Sequence, residues 1–341
     1  KAPWHRKRSP KSSTPKAIAT DNTSLTSTHP TKPAPNSDRD RVNKLSVDPW
    51  KANGWLQEEE RGLDGKRIPI LTIFLTGAEC PFKCIFCDLW RQTLDGPTPL
   101  GAIPHQLANG LKKLEKPLPP GIKLYNASNF FDPVAVPPED DPEIADLLRS
   151  FTKVTVESHP RFINKRCFEF ANRLHGSLEV AIGLETADPD ILSRLNKQMP
   201  LALVEDRATE LRAANIDIRI FLLVPPPYVS LNGVVASIRR SVTYATQLGA
   251  THISLIPTRT RYMHATNLQE STEVNKPCLS IIEEAFDQCL ITVDAVVSVD
   301  LWDIKELATC STCGPSRIDR LRTMNLTGHQ VTRIHCPACM S

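Results

Sequence analysis

Three cysteines fall within eight residues: Cys80, Cys84 and Cys87. Thiolates this close repel one another and oxidise unless a metal holds them. Three of them can wrap one face of an iron–sulfur cube, one iron each, whereas a closed structural [4Fe–4S] site takes a fourth ligand. The missing ligand leaves one iron with an open position, as catalytic metal sites require. A second set lies near the end of the chain, where Cys310-Ser-Thr-Cys313 and Cys336-Pro-Ala-Cys339 form two C-x2-C knuckles separated by 22 residues. Paired knuckles can close a tetrahedral Zn(Cys)4 site, whose binding energy folds a small unit lacking a core of its own. A fully ligated auxiliary iron–sulfur cluster would use the same four residues, and a disulfide or redox-active C-x2-C is a third reading. The remaining cysteines, Cys167, Cys278 and Cys289, lie in helix-like apolar surroundings and read as ordinary packed thiols.

Clustered thiols in a chain of 341 residues point to metal ligation in a reducing compartment, here the cytoplasm, rather than to a disulfide framework. Lys plus Arg total 41 against 38 Asp plus Glu, a net charge of +3, which excludes a globally basic nucleic-acid coat but not a local basic region. No apolar run approaches the ~18 residues needed to span a bilayer, so no membrane partner is expected. No period of tens of residues repeats, which excludes a solenoid or propeller. Residues 1–44 carry ten Lys/Arg, three Asp, twelve Ser/Thr and six Pro without apolar periodicity, and read as a disordered basic tail. The chain opens on Lys1 rather than Met, as a fragment or a processed product would. A Ser-rich, acid-poor leader also fits an organellar transit peptide, although the amphipathic apolar face is missing.

The elements that must position the first cysteines begin near residue 68. Strand-length apolar runs at Pro69–Thr76, Ile122–Asn126, Lys153–Glu157, Glu179–Glu185, Asp217–Val224 and His252–Pro257 alternate with helix-period segments. The helices are expected near 102–115, 140–150, 163–175, 189–195, 202–214, 233–247 and 279–290. Apolar strands separated by helices imply a parallel sheet with helices outside it. Six such units fit an α/β fold of partial TIM-like (β/α)6 barrel type better than a flat doubly wound sheet. A short segment at Ala295–Asp300 is a candidate further strand. The core domain is expected over 45–300 and a small four-cysteine metal-binding unit over 301–341. Barrels place their chemistry at the C-terminal strand ends. Those ends here are polar or special: Thr76-Gly77, Asn126-Ala127-Ser128, Glu157-Ser158, Glu185-Thr186 and Pro225-Pro226-Pro227.

The segment Cys80-Pro-Phe-Lys-Cys84-Ile-Phe86-Cys87, directly after the first strand of such a barrel, resembles the C-x3-C-x2-C signature of the radical S-adenosylmethionine (SAM) superfamily. Phe86 matches the aromatic that precedes the last cysteine. The resemblance implies a [4Fe–4S] cluster on Cys80, Cys84 and Cys87 whose open iron chelates the amino and carboxylate groups of SAM. It implies reductive cleavage of SAM to methionine and a 5′-deoxyadenosyl radical, fed by a donor such as flavodoxin or ferredoxin. The stretch Asn126-Ala127-Ser128 stands where the superfamily has a Gly-Gly-Glu-like contact to the SAM amino group. Its glycines and acid are missing here, so backbone carbonyls would serve.

Val156-Glu157-Ser158-His159-Pro160-Arg161, Gly183-Leu184-Glu185-Thr186 and Leu195-Asn196-Lys197 resemble segments of one branch of that superfamily. The branch holds the elongator catalytic subunit, the tRNA methylthiotransferases and the archaeosine-forming lyase. Phe130-Phe131-Asp132-Pro133 and Leu223-Val224-Pro225-Pro226 are most similar to the last of these. By this resemblance Glu185 faces the SAM ribose, Lys197 pairs with the SAM carboxylate, and Glu157 joins the site. Val224 and Ile256-Pro257 are candidate apolar walls for adenine, or simply core.

Between the knuckles, Ile318, Leu321 and Met324 suggest a short helix with one buried side. Arg317, Arg320, Arg322 and Arg333 can contact phosphates or form a solvated face. The branch, the tail and these arginines favour modification of RNA. A small metabolite or peptide is the alternative substrate, and a non-catalytic iron–sulfur and zinc scaffold or sensor is the alternative of another class.

Overall fold

The structure, a computed structural model, describes residues 44–114, 117–258, 278–291 and 293–339. The tail expected over 1–44 lies outside the described residues except for Lys44. Among the described residues, eight strands follow in chain order: β1 (Gly54–Arg61), β2 (Arg67–Phe74), β3 (Gly121–Tyr125), β4 (Lys153–Glu157), β5 (Ser177–Glu185), β6 (Asp217–Val224), β7 (His252–Pro257) and β8 (Val296–Val299). The helices are α1 (Ala102–Lys112), α2 (Asp141–Leu147), α3 (Lys165–Arg173), α4 (Pro189–Arg194), α5 (Leu201–Ala213), α6 (Val234–Gln247), α7 (Leu279–Leu290) and α8 (Gly314–Thr327). One sheet runs in the order β1 to β8. β2 to β8 are parallel, and β1 lies antiparallel to β2. The six expected strands are all present, β8 realises the candidate at 295–300, and β1 has no counterpart in the sequence reading.

Side chains alternate between the two faces of a strand. One face carries Ile73, Leu124, Val156, Val180, Ile220 and Leu255 into a core shared with the helices. The other face is charged. Arg219 of β6 donates to both carboxylate oxygens of Glu60 on β1 at 2.8 and 2.7 Å, and to Glu179 of β5 at 2.7 Å. Lys123 of β3 donates to Glu58 at 2.7 Å and to Glu60 at 2.6 Å. β1 and β6 are five places apart in the sheet. A flat sheet would separate them by about 24 Å, so these bonds require the sheet to curl into a half-barrel with the charged face inside. Burial opposes ionisation of Glu60 and Glu179, yet the facing cations win. Arg219 and Lys123 hold Glu60 well below the usual carboxylate range, and Arg219 and Lys153 hold Glu179 down to about 2.

Local signals set several helix starts. Asn164 Oδ1 accepts from Arg166 N–H at 2.9 Å before α3, and Asp188 Oδ1 accepts from Asp190 and Ile191 N–H before α4. At the other end of the chain, α8 packs against both β1 and β8. Ile318, Leu321 and Met324 enter the main core, so the C-terminal segment shares the core of the sheet. The Asn325 carboxamide accepts from Val299 N–H and donates to Val299 C=O, both at 2.8 Å, capping the backbone at the end of β8. Among the described residues, no helix is long and apolar enough to cross a membrane.

Candidate active site

The three-cysteine loop leaves β2 at the C-terminal rim and is pinned before its first cysteine. Buried Gln106 of α1 accepts from Thr76 N–H and donates to Thr76 C=O, both at 2.8 Å. Thr98 Oγ1 accepts from Ala78 N–H at 2.8 Å and donates to Ala135 C=O at 2.7 Å. Gly77 runs so close to this segment that a Cβ would meet the Ala135 carbonyl oxygen at 2.9 Å.

Past Cys80, neighbouring strand ends clamp the loop. Phe82 stacks on His159, with ring centroids 3.9 Å apart at 27°. Asn129 Nδ2 donates to Cys80 Sγ at 3.3 Å. Ile85 N–H donates to Leu195 C=O at 3.1 Å, and Asn196 Nδ2 donates to Lys83 C=O at 2.9 Å. Lys197 Nζ lies 5.5 Å from the centre of the Phe86 ring. Burial pushes the Cys87 thiol up to about 12 and raises that of Cys80. Thiolates in such surroundings are costly unless a cation binds them, which is what an iron–sulfur cluster provides.

The other strand ends converge on the loop. Asn126 follows β3 with both side-chain polar atoms buried and without a hydrogen-bond partner, and Ser128 Oγ is in the same state. Unsatisfied buried polar groups are rare and call for a ligand or water. Between them Ala127 has φ 54°, and at the end of β5 Glu185 has φ 69°. Non-glycine residues adopt this left-handed region at a cost, and such residues cluster where ligands bind. Lys197 Nζ donates to Glu185 Oε1 at 2.7 Å. Gly183 makes room for that pair: a Cβ there would meet Glu185 Oε1 at 2.7 Å and Lys197 Nζ at 3.0 Å. Burial opposes the charge on Lys197, but Glu185 and Cys84 raise its affinity for the proton above the ordinary value. Burial pushes Glu157 at the end of β4 up to about 7; Lys197 opposes this and Glu185 adds to it. Burial, then the Lys197 charge, holds His159 down to about 3, so its imidazole is neutral.

The residues expected at the first site thus meet at one rim: the cysteine loop with Phe86, the Asn126–Ser128 turn, Glu157, Glu185 and Lys197. Glu185 and Lys197, expected to face different parts of one ligand, are paired with each other. Val224 belongs to the core cluster, while Ile256 is half-buried. Sequence reasoning missed Asn129, His159 and Gln106. They touch the loop and its lead-in from 30 to 77 residues away in the chain, where no spacing rule reaches.

The second cysteine set is tighter. Cys310 and Cys336 bring their sulfurs to 3.9 Å, Cys313 and Cys339 to 3.6 Å, and all four lie within 4.8 Å of one another. A tetrahedral ion with metal–sulfur bonds of about 2.3 Å spreads its sulfurs about 3.8 Å apart. Backbone N–H groups of Cys313 and Thr312 hold the Cys310 thiol down to about 6. Of the nearby arginines, Arg317 and Arg320 are buried, whereas Arg322 and Arg333 are exposed. Arg320 is buried and pairs with Glu283 and Asp287 of α7, Arg317 pairs with Glu283, and Arg333 with Asp287. Exposed Arg322 pairs with Asp319 on its own helix. Cys167 and Cys289 are packed in the core as expected, whereas Cys278 is half-buried just before α7.

No family model matches the chain. Archaeosine synthase subunit beta of Methanosarcina acetivorans is 23% identical to it over 190 residues, which cover 53% of this chain and 55% of that protein. The chain spans about half the length of the curated relatives it matches. Among solved structures, Streptococcus suis SuiB bound to precursor peptide SuiA is similar with a TM-score of 0.48 and 14% identity, over 66% of this chain and 47% of that one. The radical S-adenosylmethionine methyltransferase TsrM of Kitasatospora setae is similar with a TM-score of 0.40 and 15% identity, over 55% of this chain and 35% of that one.

Proposed function

We propose that this chain is a radical SAM enzyme with a separate structural zinc site. One observation carries the reading. A loop bearing three buried or half-buried thiols opens at the C-terminal rim of a half-barrel, beside polar side chains that have no protein partner. Cys80, Cys84 and Cys87 would hold a [4Fe–4S] cluster, and cluster and SAM together supply reductive cleavage to methionine and a 5′-deoxyadenosyl radical. The protein's own residues bind and orient. Asn126 and Ser128, with the backbone of Ala127, offer polar groups to the amino end of SAM. Glu185 would turn to the ribose and Lys197 to the carboxylate, exchanging their mutual bond for charge-assisted bonds to ligand. Glu157 lies close enough to both to feel their charge, and its burial keeps water scarce there. Phe86 packs beside Lys197 and holds the loop at this rim.

The quartet of Cys310, Cys313, Cys336 and Cys339 is best read as Zn(Cys)4. Its sulfur spacing suits a single tetrahedral ion, whereas a cubane puts each thiolate on a different iron and needs them wider apart. Both sites need reduced thiolates, which favours a working place in the cytoplasm, with a flavodoxin or ferredoxin as electron donor. RNA is the substrate class favoured by the branch resemblance and by the similarity to archaeosine synthase subunit beta. The likeness to SuiB with its precursor peptide favours a peptide as the competing substrate.

Anaerobic reconstitution tests the reading. Four irons and one zinc per chain are expected, with 5′-deoxyadenosine formed from SAM and dithionite and stimulated by added RNA. An intact cluster that never yields 5′-deoxyadenosine sinks the enzyme reading. About eight irons without zinc sinks the zinc assignment. Stimulation by peptide and not by RNA decides for the competing substrate.

A further inference from the structure

The Asn129 carboxamide is only 4% exposed, and its two ends face different atoms. One end meets the backbone N–H of His159 at 2.7 Å. A backbone amide can only donate, so the carboxamide atom there is Oδ1. The other end is therefore the NH2 group, and it meets Cys80 Sγ at 3.3 Å. A ligating thiolate has no proton and can only accept. Flipping the carboxamide would set two donors against each other at His159 and two acceptors at Cys80. The orientation is thus fixed by its surroundings. His159 is itself fixed. Its Nδ1 accepts from Arg161 N–H at 3.1 Å, so Nε2 carries the proton and donates to Lys197 C=O at 3.3 Å, while the ring stacks on Phe82.

We infer that Asn129 is a positioning residue that tunes the cluster through Cys80, making it easier to reduce. Hydrogen bonds to ligating sulfur draw off electron density and stabilise the more negative, reduced state. The inference rests on the cluster reading given above. The step is a single electron passing from a flavodoxin- or ferredoxin-class donor, or from dithionite, into the cluster. The donor is oxidised and the cluster reduced. No bond at Asn129 forms or breaks, and its proton stays on nitrogen.

The test is a dye-mediated potentiometric titration of the reconstituted full chain, without SAM, read by electron paramagnetic resonance of the reduced cluster. Asn129→Ala removes the donor. Asn129→Asp keeps the shape and the acceptor for His159 N–H but sets an oxygen against the sulfur. His159→Phe keeps the backbone N–H and the ring stack while losing both ring nitrogens. At a fixed poise, the ratio of reduced to oxidised cluster in wild type is expected to be about tenfold that in Asn129→Ala, about 59 mV for a one-electron couple. Asn129→Asp falls further in the same direction, and His159→Phe stays at the wild-type midpoint. Should the Asp variant lose its iron, the Ala variant reads the same bond. A wild-type midpoint in Asn129→Ala overturns the inference and leaves the cluster reading standing. A His159→Phe shift as large as that of Asn129→Ala also overturns it, because the effect then follows loop packing. A wild-type chain that takes up no iron at Cys80, Cys84 and Cys87 overturns both.

Discussion

At the C-terminal quartet, four sulfurs lie within 4.8 Å of one another and backbone N–H groups point at Cys310. At the rim of the half-barrel, three cysteines do not form so tight a group, and a carboxamide donor points at Cys80. Around the quartet, buried Arg320 is matched by Glu283 and Asp287. Around the trio, Asn126 and Ser128 are left with polar atoms unpaired. On the proposed function the same side chain would serve two ends. A complete ligand set in matched surroundings makes a staple. An incomplete set beside unsatisfied groups leaves both a coordination position and a pocket for something else.

Breaking each set in turn should give opposite results. Replacing Cys80, Cys84 or Cys87 by Ala is expected to bring SAM cleavage to background while thermal unfolding stays at the wild-type temperature. Replacing Cys310 or Cys339 by Ala is expected to release metal and lower the melting temperature. A closed zinc site binds with ~10 kcal/mol or more, and much of that stabilises the fold around it. A quartet variant with full metal content and an unchanged melting temperature would mean that the staple reading is wrong.

The matched surroundings of the quartet can be tested without touching a cysteine. Arg320→Ala removes the buried cation shared by Glu283 and Asp287, leaves each acid a single arginine (Arg317 and Arg333), and should cost about 3 kcal/mol in urea unfolding. Exposed Arg322→Ala should change stability by less than about 0.5 kcal/mol. Equal effects from the two would remove the distinction between a buried staple and a solvated face.

A pH-dependent effect belongs to the unmatched rim. The folded pKa of Glu157 is raised to about 7 from the usual 4.5, chiefly by burial. Its carboxyl is neutral in both states below pH 4.5, so stability is fully present there and is lost as pH rises through 7. The ceiling of that loss is about 3 kcal/mol. Glu157→Gln should flatten the fall between pH 4.5 and 7 in unfolding of the cluster-free protein. An unchanged pH profile would show that Glu157 is better solvated than its position implies.

The two cysteine sets were legible as clusters because their members lie close together in the chain, where spacing alone shows them. The strands were legible for a related reason: continuous apolar runs announce themselves locally, and seven of the eight described strands lie where such runs put them. β1 was not, because Glu58 and Glu60 give it the look of a solvated segment. The cations that donate to them, Lys123 and Arg219, come up to 159 residues later. Asn129 and Arg320 were hidden in the same way. A lone asparagine or arginine says nothing of the sulfur or carboxylate it will meet.

The order of residues therefore determined which cysteines cluster, how many each cluster has, and which segments alternate as strand and helix. Only the curled sheet decided which carboxylate meets which cation, which carboxamide meets Cys80, and which polar atoms stay unpaired at the rim. Local spacing acts through the geometry of a few bonds. Pairings across the barrel exist only once the chain has closed on itself and water has left the space between them.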